Sequence, residues 1–206
     1  ERGEDSVQLA GLAHSADLLR AELAHFAGCL DRYLRVEVIQ RSCRAFDAEL
    51  RRLACRDFDS AGEPGAGPVD AVELMAQLHR EHLRRLQQHC FLAPETQAVL
   101  ADVEYLLGLA FELRGTLAAL LPGAEDPEGV DEVAADSPMG LDDRFAAFAG
   151  LSAAALKVAS VRQELQSSVK YLLQVLRVSI AQGPRHPVLS LCLHLNFNGF
   201  YHGEET

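Results

Sequence analysis

At 206 residues with 49% hydrophobic content, the chain is long enough to bury a sizeable core and too apolar for a disordered segment. A net charge of −11 argues against nucleic acid as the main partner, because phosphate contacts need clustered Lys and Arg. No run of about 18 apolar residues offers a membrane span.

The charge is uneven. Residues 1–56 hold nine of the nineteen basic residues, and 122–143 hold eight acidic residues and no basic one. The chain opens on ERGEDS without Met, as expected of a fragment of a larger protein. Five scattered cysteines (Cys29, Cys43, Cys55, Cys90, Cys192) contain no CxxC. That excludes a zinc ribbon or a disulfide framework and predicts reduced, buried thiols in a cytosolic protein.

The first periodic stripe is Leu19, Leu23, Phe26, Leu30 and Tyr33, whose 4-3-4-3 steps define one helix face. A second runs Ile39, Cys43, Phe46, Leu50 and Leu53. Six residues separate Tyr33 from Ile39, so the phase slips: two helices, or one long helix kinked near 35–38. Arg32, Arg35, Arg41, Arg44, Arg51 and Arg52 lie largely off the stripes.

The Gly/Pro-rich stretch 57–69 predicts a loop. A third helix follows from Val69 to Leu92, with Asp70 as its N-cap. Leu74, Met75, Leu78 and Leu86 gather on one side of its wheel, and Arg80, Glu81, Arg84, Gln87 and Gln88 on the other. Pro94-Glu95 opens a fourth helix that Pro122-Gly123 stops. Residues 122–140 read as a flexible acidic linker with too little apolar surface to order itself. A fifth helix spans Leu141 to Ala181, with a bend at Gly150.

The tail "LSLCLHLNFNGFY" (189–201) alternates like a strand. No partner strand exists for it, Leu favours helix, Pro187 suits a first turn and Asn198-Gly199 a left-handed stop. We read 187–198 as a helix, apolar nearly all round and therefore buried. The expected fold is all-α: a single helical domain over 1–206, a bundle of about six helices, several of them long, closed by that buried C-terminal helix.

Signatures of catalysis are missing: there is no GxSxG, Walker loop or GxGxxG. His79, His82 and His89, with Cys90, lie on or beside the apolar side of the third helix. Three imidazoles could bind zinc if another segment supplied a ligand. Yet there is no HExxH, and no carboxylate on that face to orient a ring. Packing histidines are the stronger reading, and a helical metal-binding or other adaptor domain is the alternative.

Three stretches in order resemble the C-terminal half of the gamma-tubulin complex proteins, the second Grip motif. "LLRAELAHFAGCLDRYLRVEVIQ" (18–40) carries His25, Phe26, Tyr33, Val38 and Ile39 at the matching places. "LMAQLHREHLRRLQQHCFL" (74–92) is similar to the family's His-x-x-aromatic-Leu…Cys-Leu-Leu helix, with His79 at a family position. The tail, with Leu195, Phe197, Asn198 and Tyr201, resembles the terminal Leu-Asp-Phe-Asn-x-(Phe/Tyr)-Tyr signature. The sequence departs from the pattern at Asn196 (usually Asp), His194 (often Arg) and His82 (an aromatic), and it lacks the family's Trp.

The resemblance implies a non-enzymatic scaffold that binds gamma-tubulin and other gamma-tubulin complex proteins and supports microtubule nucleation. It implies no catalysis and so no cofactor, and it favours packing over metal at His79. No contact with nucleic acid or membrane is expected, from the net charge and the lack of a long apolar run. The resemblance places the protein in the cytoplasm and cytoskeleton at microtubule organising centres, the centrosome and spindle pole. Arg35, Arg41 and Arg44, in the densest basic stretch of an acidic chain, are the expected contacts to gamma-tubulin.

Overall fold

The periodic stripes become helices in the computed structural model, which describes residues 2–59, 68–119, 141–180 and 187–201. Helix α1 spans Arg2–Arg32 and runs through a π-helical segment, Tyr33–Gln40, into α2, Arg41–Asp59. Then come α3 (Pro68–His89), a 3₁₀ turn (Pro94–Thr96), α4 (Gln97–Ala118), α5 (Leu141–Ile180) and α6 (Val188–Leu195). The fold is all-α, with no strand among the described residues. Residues 57–59 and 68–69 are helical, so the predicted loop shrinks to 60–67, outside the described residues. The predicted linker 122–140 also lies outside them. Helix α3 already begins at Pro68, which puts Asp70 inside the first turn instead of at the cap.

The π segment resolves the phase slip. Tyr33 and Val38 are both buried although five residues apart. At 100° per residue an α-helix would set them about 140° apart. A π-helix bonds i to i−5, and the Arg41 N–H reaches the Val36 carbonyl. The widened turn therefore stacks Val38 under Tyr33. This corrects the predicted second stripe: Ile39 and Cys43 are exposed, and half-buried Ser42 leads into Phe46, Leu50 and Leu53.

The chain forms two compact units. One comprises Glu1–Phe26 and Glu104–Tyr171. Its buried residues are Leu12, Ala16, Leu19, Leu23 and Phe26 of α1, Leu106, Leu109 and Leu113 of α4, and a row on α5 from Ala154 to Val169. Polar bonds tie the helices at the edge of that core. Arg162 of α5 donates from Nε (2.9 Å) and sets Nη2 2.6 Å from Glu22 Oε1 of α1. The Tyr105 hydroxyl of α4 donates to Glu164 of α5 at 2.9 Å.

The other unit comprises Ala27–Val103 and Leu172–Thr206. Leu30, Tyr33, Val38, Phe91, Val99, Val103, Leu172, Leu173, Leu176, Val188, Leu191, Leu195 and Tyr201 are buried there. Tyr33 is the hub. Its hydroxyl donates to the His89 carbonyl at 2.8 Å, and its ring stacks on Phe91 with centroids 5.8 Å apart. Burial first, then the neighbouring Cys90, Cys192 and Glu37, raises the Tyr33 pKa, so the hydroxyl keeps its proton and remains a donor.

Candidate partner-binding surface

The predicted contact arginines stand on the outer surface of the π segment and α2. Arg35 Nε lies 2.6 Å from Asp31 Oδ1 and Arg41 Nη1 2.9 Å from Glu37 Oε2, each one helical turn away. Arg51 and Arg52 pair in the same way with Asp47 and Glu49. Arg44 is exposed and makes no ion pair among the described residues. Counting arginines overstates the positive potential, because four of these five are partly neutralised by their own helix. Such exposed pairs stabilise little, so their carboxylates can be displaced by a partner. Beside them the π segment exposes Val36 and Ile39, the latter 47% accessible.

The histidines of α3 turn toward α2. The His82 ring stacks on Phe46 at 4.5 Å and 16°, with Nδ1 3.1 Å from the Ser42 hydroxyl. His79 is exposed and tilts against the same Phe46 at 6.0 Å. Partial burial, followed by His79 and Arg85, lowers the His82 pKa. Stacking on Phe46 explains how an imidazole serves where the family pattern has an aromatic. His89 contributes its carbonyl to Tyr33. No group of three or more His, Cys, Asp or Glu among the described residues is placed to hold a metal ion. The predicted apolar side of α3 is only half covered: Leu78 and Leu86 are half-buried, whereas Leu74 and Met75 are exposed.

The tail is a helix, as its composition predicts, but it is not buried all round. Val188, Leu191 and Leu195 face the core, while Leu193 is 61% and Phe197 80% exposed. A helix of eight residues laid on a surface has one inner face, so the all-round apolar wheel overstates burial. Past Leu195 the side chains of two asparagines shape the turn. Asn196 Oδ1 accepts from the Tyr201 N–H at 2.8 Å and Asn198 Oδ1 from the Phe200 N–H at 3.2 Å. The bond from Asn196 needs only an acceptor oxygen, so Asn does here what the family's usual Asp would do. His194 Nδ1–H donates to the Ser190 carbonyl at 2.6 Å.

Of the signature residues, Phe26, Tyr33, Leu195 and Tyr201 are buried, and His25, His79, Phe197 and Asn198 are exposed. Sequence reasoning missed Phe91. Its φ is +62°, and the Phe91 N–H to Gln88 (3.3 Å) and Leu92 N–H to Gln87 (2.8 Å) bonds form a Schellman stop. That position usually takes Gly, so nothing in "HCFLAP" announces it except the Pro three residues on. The thiols were expected to be buried. Cys43 and Cys55 are exposed instead, and Cys29, Cys90 and Cys192 half-buried. Burial pushes the Cys192 thiol up to about 11 against the opposing influence of Arg177.

The described residues line at least two concavities. One of about 220 Å³ lies between α2 and α3, lined by Ser42, Phe46, Glu49, Glu81, His82 and Arg85 among others. It is smaller than typical ligand pockets, and its Glu81 is held down to about 2 by hydrogen bonds from Arg84 and Arg85. The second, about 660 Å³, lies between α1 and α5; its charged lining residue, Arg162, is already bound to Glu22. Neither brings a nucleophile, a base and an oxyanion donor together.

The described helices offer exposed ion pairs and aliphatic side chains on an all-α scaffold. Residues 2–201 match the family described as Gamma tubulin complex component C-terminal, and the chain belongs to that family. Its members are described as components of the gamma-tubulin complex. No curated protein and no solved structure matches the chain. Among the described residues no helix is long and apolar enough to cross a membrane.

Proposed function

We propose that this chain is a non-enzymatic scaffold domain that holds gamma-tubulin within the gamma-tubulin ring complex and so supports microtubule nucleation. The family match over residues 2–201 carries the reading. In this reading residues 1–206 act as one domain of a longer protein, beside other gamma-tubulin complex proteins, at microtubule organising centres such as the centrosome and spindle pole. The tail "LHLNFNGFY" resembles component 6 of the complex more than other members, and we assign the chain there. Arg35, Arg41 and Arg44 are the proposed contacts, with gamma-tubulin displacing the carboxylates of Asp31 and Glu37.

Co-purification of the chain with gamma-tubulin is the deciding experiment. Stoichiometric recovery is the expected result. A folded chain that never retains gamma-tubulin would overturn the proposal.

A further inference from the structure

The chain has two asparagines, Asn196 and Asn198, and both lie in the turn after α6. Each side-chain oxygen accepts a backbone N–H, but the two differ in exposure and in the residue that follows, which govern attack by the next backbone nitrogen on the side-chain amide. Asn196 is half-buried and followed by Phe197; Asn198 is exposed and followed by Gly199. Without a Cβ, Gly lets its nitrogen approach closely. Asn198 Oδ1 accepts from the Phe200 N–H at 3.2 Å. This Asx turn folds the carboxamide over the Gly199 peptide and places a donor on the oxygen where negative charge would develop.

We propose that Asn198-Gly199 is a site of spontaneous deamidation. Hydroxide removes the proton from the Gly199 amide, and the nitrogen attacks Asn198 Cγ. The Cγ–Nδ2 bond then breaks, ammonia leaves with a proton from water, and a succinimide ring remains. Water opens the ring at either carbonyl to give aspartate or isoaspartate. The net change is one water consumed and one ammonia released, with no oxidant or reductant.

The Gly199 N–H donates to the Asn196 carbonyl at 3.1 Å. That bond must open before the proton is lost, so the rate reports on the opening of the turn. The two products act differently. Aspartate keeps the acceptor oxygen and adds one negative charge. Isoaspartate inserts a methylene into the main chain between Asn196, whose side chain holds the Tyr201 N–H, and Tyr201, which is buried. It therefore loosens the end of the fold.

The test is incubation of the 206-residue chain in warm, mildly alkaline buffer, followed by peptide mass spectrometry. We expect a gain of about one mass unit at Asn198, faster at higher pH, split into two chromatographic products and well ahead of any change at Asn196. Gly199→Ala should slow it about tenfold by crowding the nitrogen. Because Gly199 has φ +71° and Ala there is strained, Asn198→Gln is the second variant, and its peptide should stay unmodified. The proposal is overturned if Asn198 stays intact in the native chain during an incubation that converts it in the urea-unfolded chain. Conversion at Asn196 ahead of Asn198 would overturn it as well.

Discussion

Phe91 shows how two opposed effects are decided at one residue. A bulky side chain in the left-handed region costs about 1–2 kcal/mol, whereas burying its ring gains about 1.5–3 kcal/mol and the stack on Tyr33 about 0.5–1.5 kcal/mol more. The ring wins. Phe91→Gly and Phe91→Ala should both destabilise, but the Gly variant should be the more stable by about 1 kcal/mol, the reverse of the usual order in helices. Urea melts of the two variants check this, and Ala above Gly would refute it. In α6, Leu191→Ala should cost about 2–5 kcal/mol, because Leu191 is buried. Leu193→Ala should fall within about 0.5 kcal/mol of the parent. Equal losses at the two positions would mean that the helix is buried on both sides.

At the scale of an element, the π segment is an accommodation of sequence phase. Tyr33 and Val38 must face inward together, and a fifth residue between turns forces the wider helix. Removing one exposed residue from it, Val36, would leave the two four apart, which an ordinary α-helix satisfies. That deletion should preserve cooperative unfolding with a melting temperature within a few degrees of the parent. Val36→Pro, which deletes the N–H and clashes with the preceding turn, should cost about 3 kcal/mol or more. Circular dichroism melts distinguish the two; a deletion that unfolds the chain would show that the π geometry itself is needed. The interior glycines of α1 and α4 raise a related question. A Cβ built at Gly28, Gly108 or Gly115 meets nothing within 4 Å. Gly108→Ala and Gly115→Ala should therefore each stabilise by about 0.5–1 kcal/mol. If they also weaken assembly with gamma-tubulin, the open face of α4 is a contact surface.

For the whole molecule the question is how an acidic chain would present the proposed basic contact. Most arginines of the π segment and α2 are tied to carboxylates of their own helix, so the surface proposed to meet gamma-tubulin is a set of exchangeable ion pairs. Reversing Arg41 and Arg44 to Glu together should slow association with gamma-tubulin by about tenfold at low salt and flatten its salt dependence, with little change in dissociation. Stopped-flow or surface-binding kinetics at two ionic strengths test this, and unchanged on-rates would remove these residues from the interface. Thiol labelling probes the folded state independently. Exposed Cys43 and Cys55 should react first. Cys192, its thiol pushed up to about 11 by burial, should stay mostly protonated and slow until denaturant is added.

Periodicity was enough to read the helices and their order, and the residues of three short motifs carried the family likeness. Heptad-like steps of Leu and Phe report which residues share a face, and a face is a local property of the chain. The stripe from Leu19 to Tyr33 is buried as its spacing says, and so are Leu191 and Leu195. The α3 and α6 wheels misled where apolar residues outnumber the places available to bury them: Met75, Leu193 and Phe197 are apolar yet exposed. Only tertiary structure decided that Val38 and not Ile39 follows Tyr33 inward, that His82 lies flat on Phe46, and that Phe91 takes a glycine's conformation. Each choice depends on what another helix, distant in sequence, puts opposite: a ring, a hydroxyl or a carbonyl. Local spacing carries no record of those partners, because their contact exists only once the chain has brought them together.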